Sequence, residues 1–343
     1  MRVSVVDAGS NTVRLAIADT DAGVPLPVHT VKWKLRLSEQ VQLDGVIGGE
    51  ALERLVQAVA SAGRTAQDWK ASDPLAFATA VVRRAPNREE VLEAVQTRTG
   101  IRMCTLPGEA EAELTFLAAR RWMGWHAGPL AILDIGGGSL EVAFGRGRLP
   151  DFAVSLPLGA NRLTREFFTT QDPPTEAEIK ALRRTVRHQL RDVAERIRWE
   201  NPRTVVVTSR TFQQLARLCG ASPGRRGPFK RRTMRRKDLR EAINVLAAVP
   251  TAERAQLSGI SAPRAVQSLA GAIVGHTAMK LMALRTVTVC PWAVREGVLL
   301  RHIEDGEEWW ADITRDQRAL MEAPEPLRLA PRLPSLTRSA ERP

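Results

Sequence analysis

Residues 130–145 read LAILDIGGGSLEVAFG, and the rest of the chain is read outward from them. The apolar run Leu130 to Leu133 predicts a buried strand. It ends in Asp134, followed by Gly136, Gly137, Gly138 and Ser139, after which apolar alternation resumes at Leu140, Val142 and Phe144. The pattern is strand, glycine turn, strand. Three glycines let a ligand approach main-chain N–H groups closely, as in an anion cradle. Asp134 at the strand end and Glu141 past the turn place two carboxylates beside it, which suits a phosphate accompanied by a divalent cation. A plain β-hairpin with a glycine-rich turn would read the same way on this segment alone.

A second copy opens the chain. Residues 3–19, VSVVDAGSNTVRLAIAD, again run from an apolar strand into Asp7, then Gly9, Ser10 and Asn11, and alternate again at Val13, Leu15 and Ile17. The copies lie a domain's length apart, so two such turns facing each other would wall a cleft with phosphate loops.

At 343 residues the chain suits two domains. No run of 18 apolar residues predicts a membrane span, and the N-terminus goes straight into a strand, without a signal-peptide pattern. Cys104, Cys219 and Cys290 are odd in number and far apart, which predicts a cytoplasmic protein without a metal–thiolate cluster. The five histidines show no zinc spacing, so any metal should be a hard ion on oxygen ligands. The formal net charge of +12 favours polyanionic partners. The chain has no tyrosine and 5% aromatic residues, which argues against a stacking platform for nucleic acid.

After the first hairpin, spacing predicts a strand over Val28 to Leu37, a turn over Asp44 to Gly49 and a helix over Ala51 to Trp69. A strand over Pro74 to Ala80 should run on through Arg83. A helix over Arg88 to Thr99, a strand over Ile101 to Leu106 and a helix over Glu109 to Arg121 follow. The second half repeats the hairpin and adds a strand at Phe152 to Leu158. Further on come a helix at Thr175 to Trp199, a strand at Thr204 to Thr208 and helices at Arg235 to Val249, Ser261 to Leu284 and Arg295 to Ile303, with a strand over Val287 to Cys290. The basic stretch 223–237, PGRRGPFKRRTMRRK, is either a polyanion grip through Arg225, Arg226, Arg231 and Arg232 or a solvated loop. Residues 311–343 lose apolar periodicity and predict a disordered tail.

Seven ordered segments, VVDAGSNTVRLAIAD, FATAVVRRAPN, LPGEAEAELTFLAARRWMGW, LDIGGGSLEVAFG, SLPLGANRLTREFF, TSRTFQQLARLCGA and CPWAVREGVLL, resemble exopolyphosphatases of the Ppx/GppA family, in the short two-domain form of actinobacteria. The resemblance implies an α/β fold of two ribonuclease-H-like (actin/hexokinase-like) domains around a central cleft, 1–125 and 126–310. It implies hydrolysis of the terminal phosphoanhydride of inorganic polyphosphate in the cytoplasm by a homodimer using Mg²⁺, or Mn²⁺ in its place. Asp7, Gly9, Ser10 and Asn11 match the first phosphate loop; Asp134, Gly136, Gly137, Gly138, Ser139 and Glu141 match the second. Asp134 and Glu141, then Asp7, are the metal candidates. Glu111 matches the catalytic glutamate and Arg83 the cleft arginine. Ala110 replaces a usual acid, and Glu113 stands where the family has arginine; the altered charge would bear on phosphate binding or substrate preference. On spacing alone Glu109, Glu111 and Glu113 are not separable as the base. Three alternatives stay open: a guanosine pentaphosphate phosphohydrolase, with guanosine tetraphosphate as a related ligand; a kinase or ATPase of the same superfamily; and a non-catalytic polyphosphate or nucleotide sensor.

Overall fold

A computed structural model describes residues 1–20, 26–35, 37 and 45–313. Strands β1 (Arg2–Ala8), β2 (Thr12–Asp19) and β3 (Pro27–Lys34) form an antiparallel meander, joined on the β1 side by parallel strands β4 (Leu75–Ala78) and β5 (Met103–Thr105), in the order β3-β2-β1-β4-β5. The second sheet repeats this plan. Its meander is β6 (Leu130–Ile135), β7 (Leu140–Gly145) and β8 (Phe152–Leu156). Strand β9 (Thr204–Thr208) lies parallel to β6, then β11 (Thr286–Val289), with β10 (Thr233–Arg235) added at the edge. This is the α/β, actin/hexokinase-like plan that the resemblance implies.

Helix α1 (Gly49–Asp68) packs on the first sheet, burying Leu55, Val56, Val59 and Ala62. Next come the short α2 (Ala80–Arg83), α3 (Arg88–Thr99) and α4 (Gly108–Met123). In the second half α5 (Ala160–Phe167), α6 (Glu176–Glu200), α7 (Ser209–Leu218), α8 (Arg236–Ala248), α9 (Thr251–Arg254), α10 (Ala262–Leu281) and α11 (Val294–Asp305) alternate with the strands. Helix α6 begins with a capping box: the Thr175 hydroxyl accepts from the Glu178 amide while the Glu178 carboxylate accepts from the Thr175 amide.

The covering helices cross over. Phe116, Leu117 and Ala112 of α4 pack on Leu130, Ile132 and Ala143 of the second sheet. Val298 and Leu299 of α11 pack on Val3, Val5 and Phe77 of the first. The two helices meet where a Cβ on Gly297 would lie 2.0 Å from the Leu114 carbonyl oxygen. Strand alternation then fixes what reaches each turn. Leu130, Ile132 and Asp134 share the face under α4, and Val3, Val5 and Asp7 share the face under α11.

Several sequence expectations shift. The strand expected through Arg83 ends at Ala78, because Thr79 leaves the sheet and α2 turns the chain back. Helices α5 and α7 were not expected, since each is short and partly polar. Every residue of β7 is buried, Glu141 included at 1% exposure, because helices cover both faces of the second sheet. The expected strand over 28–37 is observed only to Lys34. The turn expected at 44–49 begins outside the described residues, and Gly49 already opens α1. Of the expected disordered tail, residues 311–313 are helical, with Ile313 against the core, and positions from 314 onward lie outside the described residues. Among the described residues no helix is long and apolar enough to cross a membrane.

Candidate active site

The two glycine turns are built alike. The Gly9 amide donates to the Thr12 carbonyl at 3.0 Å, and the Gly136 amide donates to the Ser139 carbonyl at 2.9 Å. The turns abut: a Cβ on Gly137 would lie 2.5 Å from Ser10 Oγ, and one on Gly138 would lie 2.8 Å from Ala80 Cβ. Arg84, from the first half, donates to the Gly138 carbonyl at 2.7 Å. The carbonyl side of the second turn is held by α5. Ala160 N–H donates to Gly136, and the amides of Asn161 and Arg162 both donate to Gly137, each at 3.0 Å. The amides of Gly137 and Gly138, by contrast, reach no backbone acceptor among the described residues.

Between the turns lies a cavity of about 620 Å³, lined in part by Asp7, Gly9, Ser10, Asn11, Glu111, Asp134, Gly136 and Gly137. Both aspartates therefore face one cleft. Gly138, Ser139, Glu141 and Arg83 stand just behind this lining. Ser155 donates to Glu141 Oε1 at 2.9 Å, and a Ser139 hydroxyl also bonds that carboxylate. The Thr208 hydroxyl donates to Asp134 Oδ2. Arg83 Nη1 lies 3.0 Å from Glu111 Oε2 and donates to the Leu106 carbonyl at 2.6 Å.

The structure separates the three glutamates. Glu111 alone turns into the cavity. Glu109 is exposed, and Glu113 faces Arg301 of α11 at 3.8 Å. The departure at Glu113 thus adds no charge to the cavity wall. Gly108 lets α4 approach β8, since a Cβ there would strike Ser155 Cβ at 2.3 Å.

The electrostatics are lopsided. Burial pushes the Asp134 carboxyl up to about 7, opposed by the Thr208 hydroxyl and reinforced by Glu111 and Asp7. Burial, then the nearby charges of Glu111 and Asp134, raise Glu141 well above the usual carboxylate range. Burial also raises Glu111, with Arg83 pulling it back. Asp7 is raised by burial but held down by Arg295, at 3.6 Å, and by Arg14.

Sequence reasoning missed a wall of cations: Arg14, Lys32, Arg210, Arg264 and Arg295 all line the cavity. Arg264 is brought down to about 10 by burial and then by Arg14 and Arg210. The readable signal was position, since Arg14 is in register with Asp7 as Glu141 is with Asp134. The basic loop is in part corrected. Arg232 is buried at 8% exposure, and its guanidinium is consumed by the carbonyls of Ser222, Pro223, Gly224, Gly227 and Lys230, so it ties the loop together instead of gripping a ligand. Arg225, Arg226 and Arg231 are exposed. Among the described residues no three His, Cys, Asp or Glu side chains converge as a ready-made metal cage. The oxygen-only donors Asp134 and Glu141 nevertheless fit a hard cation: burial raises the proton affinity of both, and the Asp134 charge raises that of Glu141 further, a cost that a bound cation relieves.

A profile of the Ppx/GppA phosphatase family matches residues 16–305. An uncharacterised protein of Streptomyces coelicolor is 70% identical over 332 residues, 96% of this chain and 99% of that protein. Exopolyphosphatase 1 of Mycobacterium tuberculosis is 42% identical over 306 residues, 89% of each chain. The crystal structure of the Aquifex aeolicus Ppx/GppA enzyme is similar with a TM-score of 0.74 and 29% identity, covering 88% of this chain and 99% of that one. Paired glycine turns, an acidic cluster at one of them and a profile match across most of the sequence lead to one conclusion: the chain belongs to the Ppx/GppA phosphatase family.

Proposed function

We propose that this protein is an exopolyphosphatase, which hydrolyses the terminal phosphoanhydride of inorganic polyphosphate and releases orthophosphate with a divalent cation, Mg²⁺ or Mn²⁺. The observation that carries the reading is the division of the cavity wall, with the acids Glu111 and Asp134 at one turn and, around the rest, five cations that outnumber Asp7 and Glu296. Phosphoryl transfer needs charge neutralisation, an in-line water and a group to position that water. The cations and free turn amides would hold phosphoryl oxygens. Asp134 and Glu141 would hold the cation, with Asp7 across the cleft as a further ligand; when bound, the cation would supply charge neutralisation on the phosphoryl oxygens.

Glu111 would orient the attacking water and accept its proton. Burial raises its proton affinity, which favours accepting a proton, and Arg83 orients the carboxylate and would offset charge on the terminal phosphoryl group. Ser155 and Thr208 hold Glu141 and Asp134 in place, so neither carboxylate is free to swing into the role of base. Among the described residues lining the cavity there is no aromatic ring to stack a guanine, which favours an inorganic chain over guanosine pentaphosphate.

The test is phosphate release from polyphosphate and from guanosine pentaphosphate, with and without Mg²⁺, for wild type and Glu111→Gln. The expected result is metal-dependent release from polyphosphate, absent in E111Q although E111Q still binds the chain. Release by E111Q at the wild-type rate would remove Glu111 from the chemistry, and preference for the guanosine nucleotide would reassign the substrate.

A further inference from the structure

A second cavity, of about 690 Å³, lies apart from the cleft and is strongly cationic. Three helices each turn an i, i+4 pair toward it: Arg183 and Arg187 from α6, Arg236 and Arg240 from α8, His276 and Lys280 from α10. Side chains so spaced share one helix face, and like charges there disfavour the helix that carries them. Arg285 completes the rim, and no carboxylate lines the cavity among the described residues. Arg235 is occupied by Asp238 at 2.7 Å, but Arg183, Arg187, Arg236, Arg240, Lys280 and Arg285 form no salt bridge with any described residue. The convergent field shows in His276. Burial, then Arg183, Arg236, Lys280 and Arg240, bring its imidazole down to about 4, so the ring is neutral at physiological pH.

The site lies at the opposite end of the sheet from the chemistry. Strands β6, β9 and β11 run parallel, and Asp134 and Thr208 stand at carboxyl ends, whereas Thr286 begins β11 at the cationic cavity. Helix α10 joins the two. Its first turn places Arg264 in the cleft, and its last turn places Lys280 in the second cavity, about 24 Å further along the axis.

We infer that the hollow between α6, α8 and α10 is a second, non-catalytic binding site for inorganic polyphosphate. Its identity as a polyphosphate site rests on the function proposed above. A concave wall whose described charged groups are all cations suits a chain of closely spaced phosphates. Among the described residues the lining contains no Phe or Trp on which a nucleobase could stack, which disfavours RNA. A chain long enough to engage both sites is held near the cleft by this anchor, which raises the effective concentration of its end. A chain too short to span them uses the cleft alone.

The test compares wild type with Arg187→Glu/Lys280→Glu and with the gentler Arg187→Gln/Lys280→Gln, thermal melts showing that each folds. The inference expects KM for long polyphosphate to rise about tenfold, the scale of one or two lost charge-assisted contacts, with kcat and all tripolyphosphate kinetics unchanged. In the 276 ring, the imidazole pKa followed by NMR should rise when polyphosphate is added to the E111Q protein, and should not rise in the charge-reversed background. Equal KM for long chains in folded variants, together with an unmoved imidazole, overturns the inference. So does tighter binding of an oligoribonucleotide than of polyphosphate at this site. If wild type releases no phosphate at all, the proposed activity fails, and the imidazole titration still decides the anchor.

Discussion

The two glycine turns share a backbone and differ in charge, and the difference divides the labour of the cleft. At the first, Asp7 is opposite Arg14 in register and faces Arg295 from the first turn of α11. At the second, Asp134 is opposite Glu141 and faces Glu111 from the first turn of α4. The topology delivers three side chains to each turn by the same route: one strand end, the strand beside it, and the covering helix. In one half two of the three are arginine, and in the other all three are acids. A cation-holding, water-activating wall thus faces an anion-holding wall, on a framework that is otherwise repeated.

The comparison breaks first at Glu141. Replacing it by alanine should lower kcat by about 10³-fold and abolish its dependence on Mg²⁺, measured as phosphate release across a metal series. Retained turnover would mean that the acidic turn is not the metal side. The glycines come next. Gly137→Ala drives a methyl into Ser10 Oγ, whereas the nearest atom to a methyl on Gly9 is the Thr12 carbonyl oxygen at an ordinary 3.6 Å. G137A should therefore lose about 10²-fold in activity and recover when Ser10→Gly is added, while Gly9→Ala stays close to wild type. Failure of that rescue would show that contact between the turns is not what limits the site. On the basic side, Arg14→Gln should raise KM about tenfold with little change in kcat, and the effect should shrink at high salt. A fall in kcat instead would place Arg14 in the chemical step.

The smallest effect separates the first long helix after each meander. Helix α1 starts at Gly48 with no side-chain cap, whereas α6 starts with the Thr175–Glu178 box. Burial works against the Glu178 carboxylate, but hydrogen bonds from the amides of Thr175, Thr169 and Thr170 and from the Thr175 hydroxyl bring it down to about 2, from an ordinary 4.5. A carboxyl held low in the fold stabilises it fully above about pH 4.5, and that contribution is lost as pH falls through 4.5 toward 2. Glu178→Gln should flatten this part of the stability–pH curve in urea melts. An unchanged slope would assign acid sensitivity elsewhere.

The repeat was legible because turns carry local chemistry: D-x-G with small polar residues reads the same in both halves. Glu111 and Arg83 were reachable only through the resemblance, since their meeting depends on α4 crossing to the other sheet, which no spacing reveals. Arg210, Arg264 and Arg295 were hidden for the same reason; each opens a helix whose neighbour in space lies far away in sequence. Arg232 misled because a basic loop reads as surface, whereas its guanidinium had been recruited by five carbonyls. Glu141 was legible as a carboxylate beside the second turn but not as a buried one, because the sequence does not say that helices cover both faces.

The exchange of covering helices has a mechanical outcome. Each half lends a lid to its neighbour, and the lids are pressed together at Gly297 against the Leu114 backbone. A chain cut after Met123 would carry α4 without the sheet it shelters and leave Val3, Val5 and Phe77 bare to water. Like clasped hands, the halves should melt in a single step.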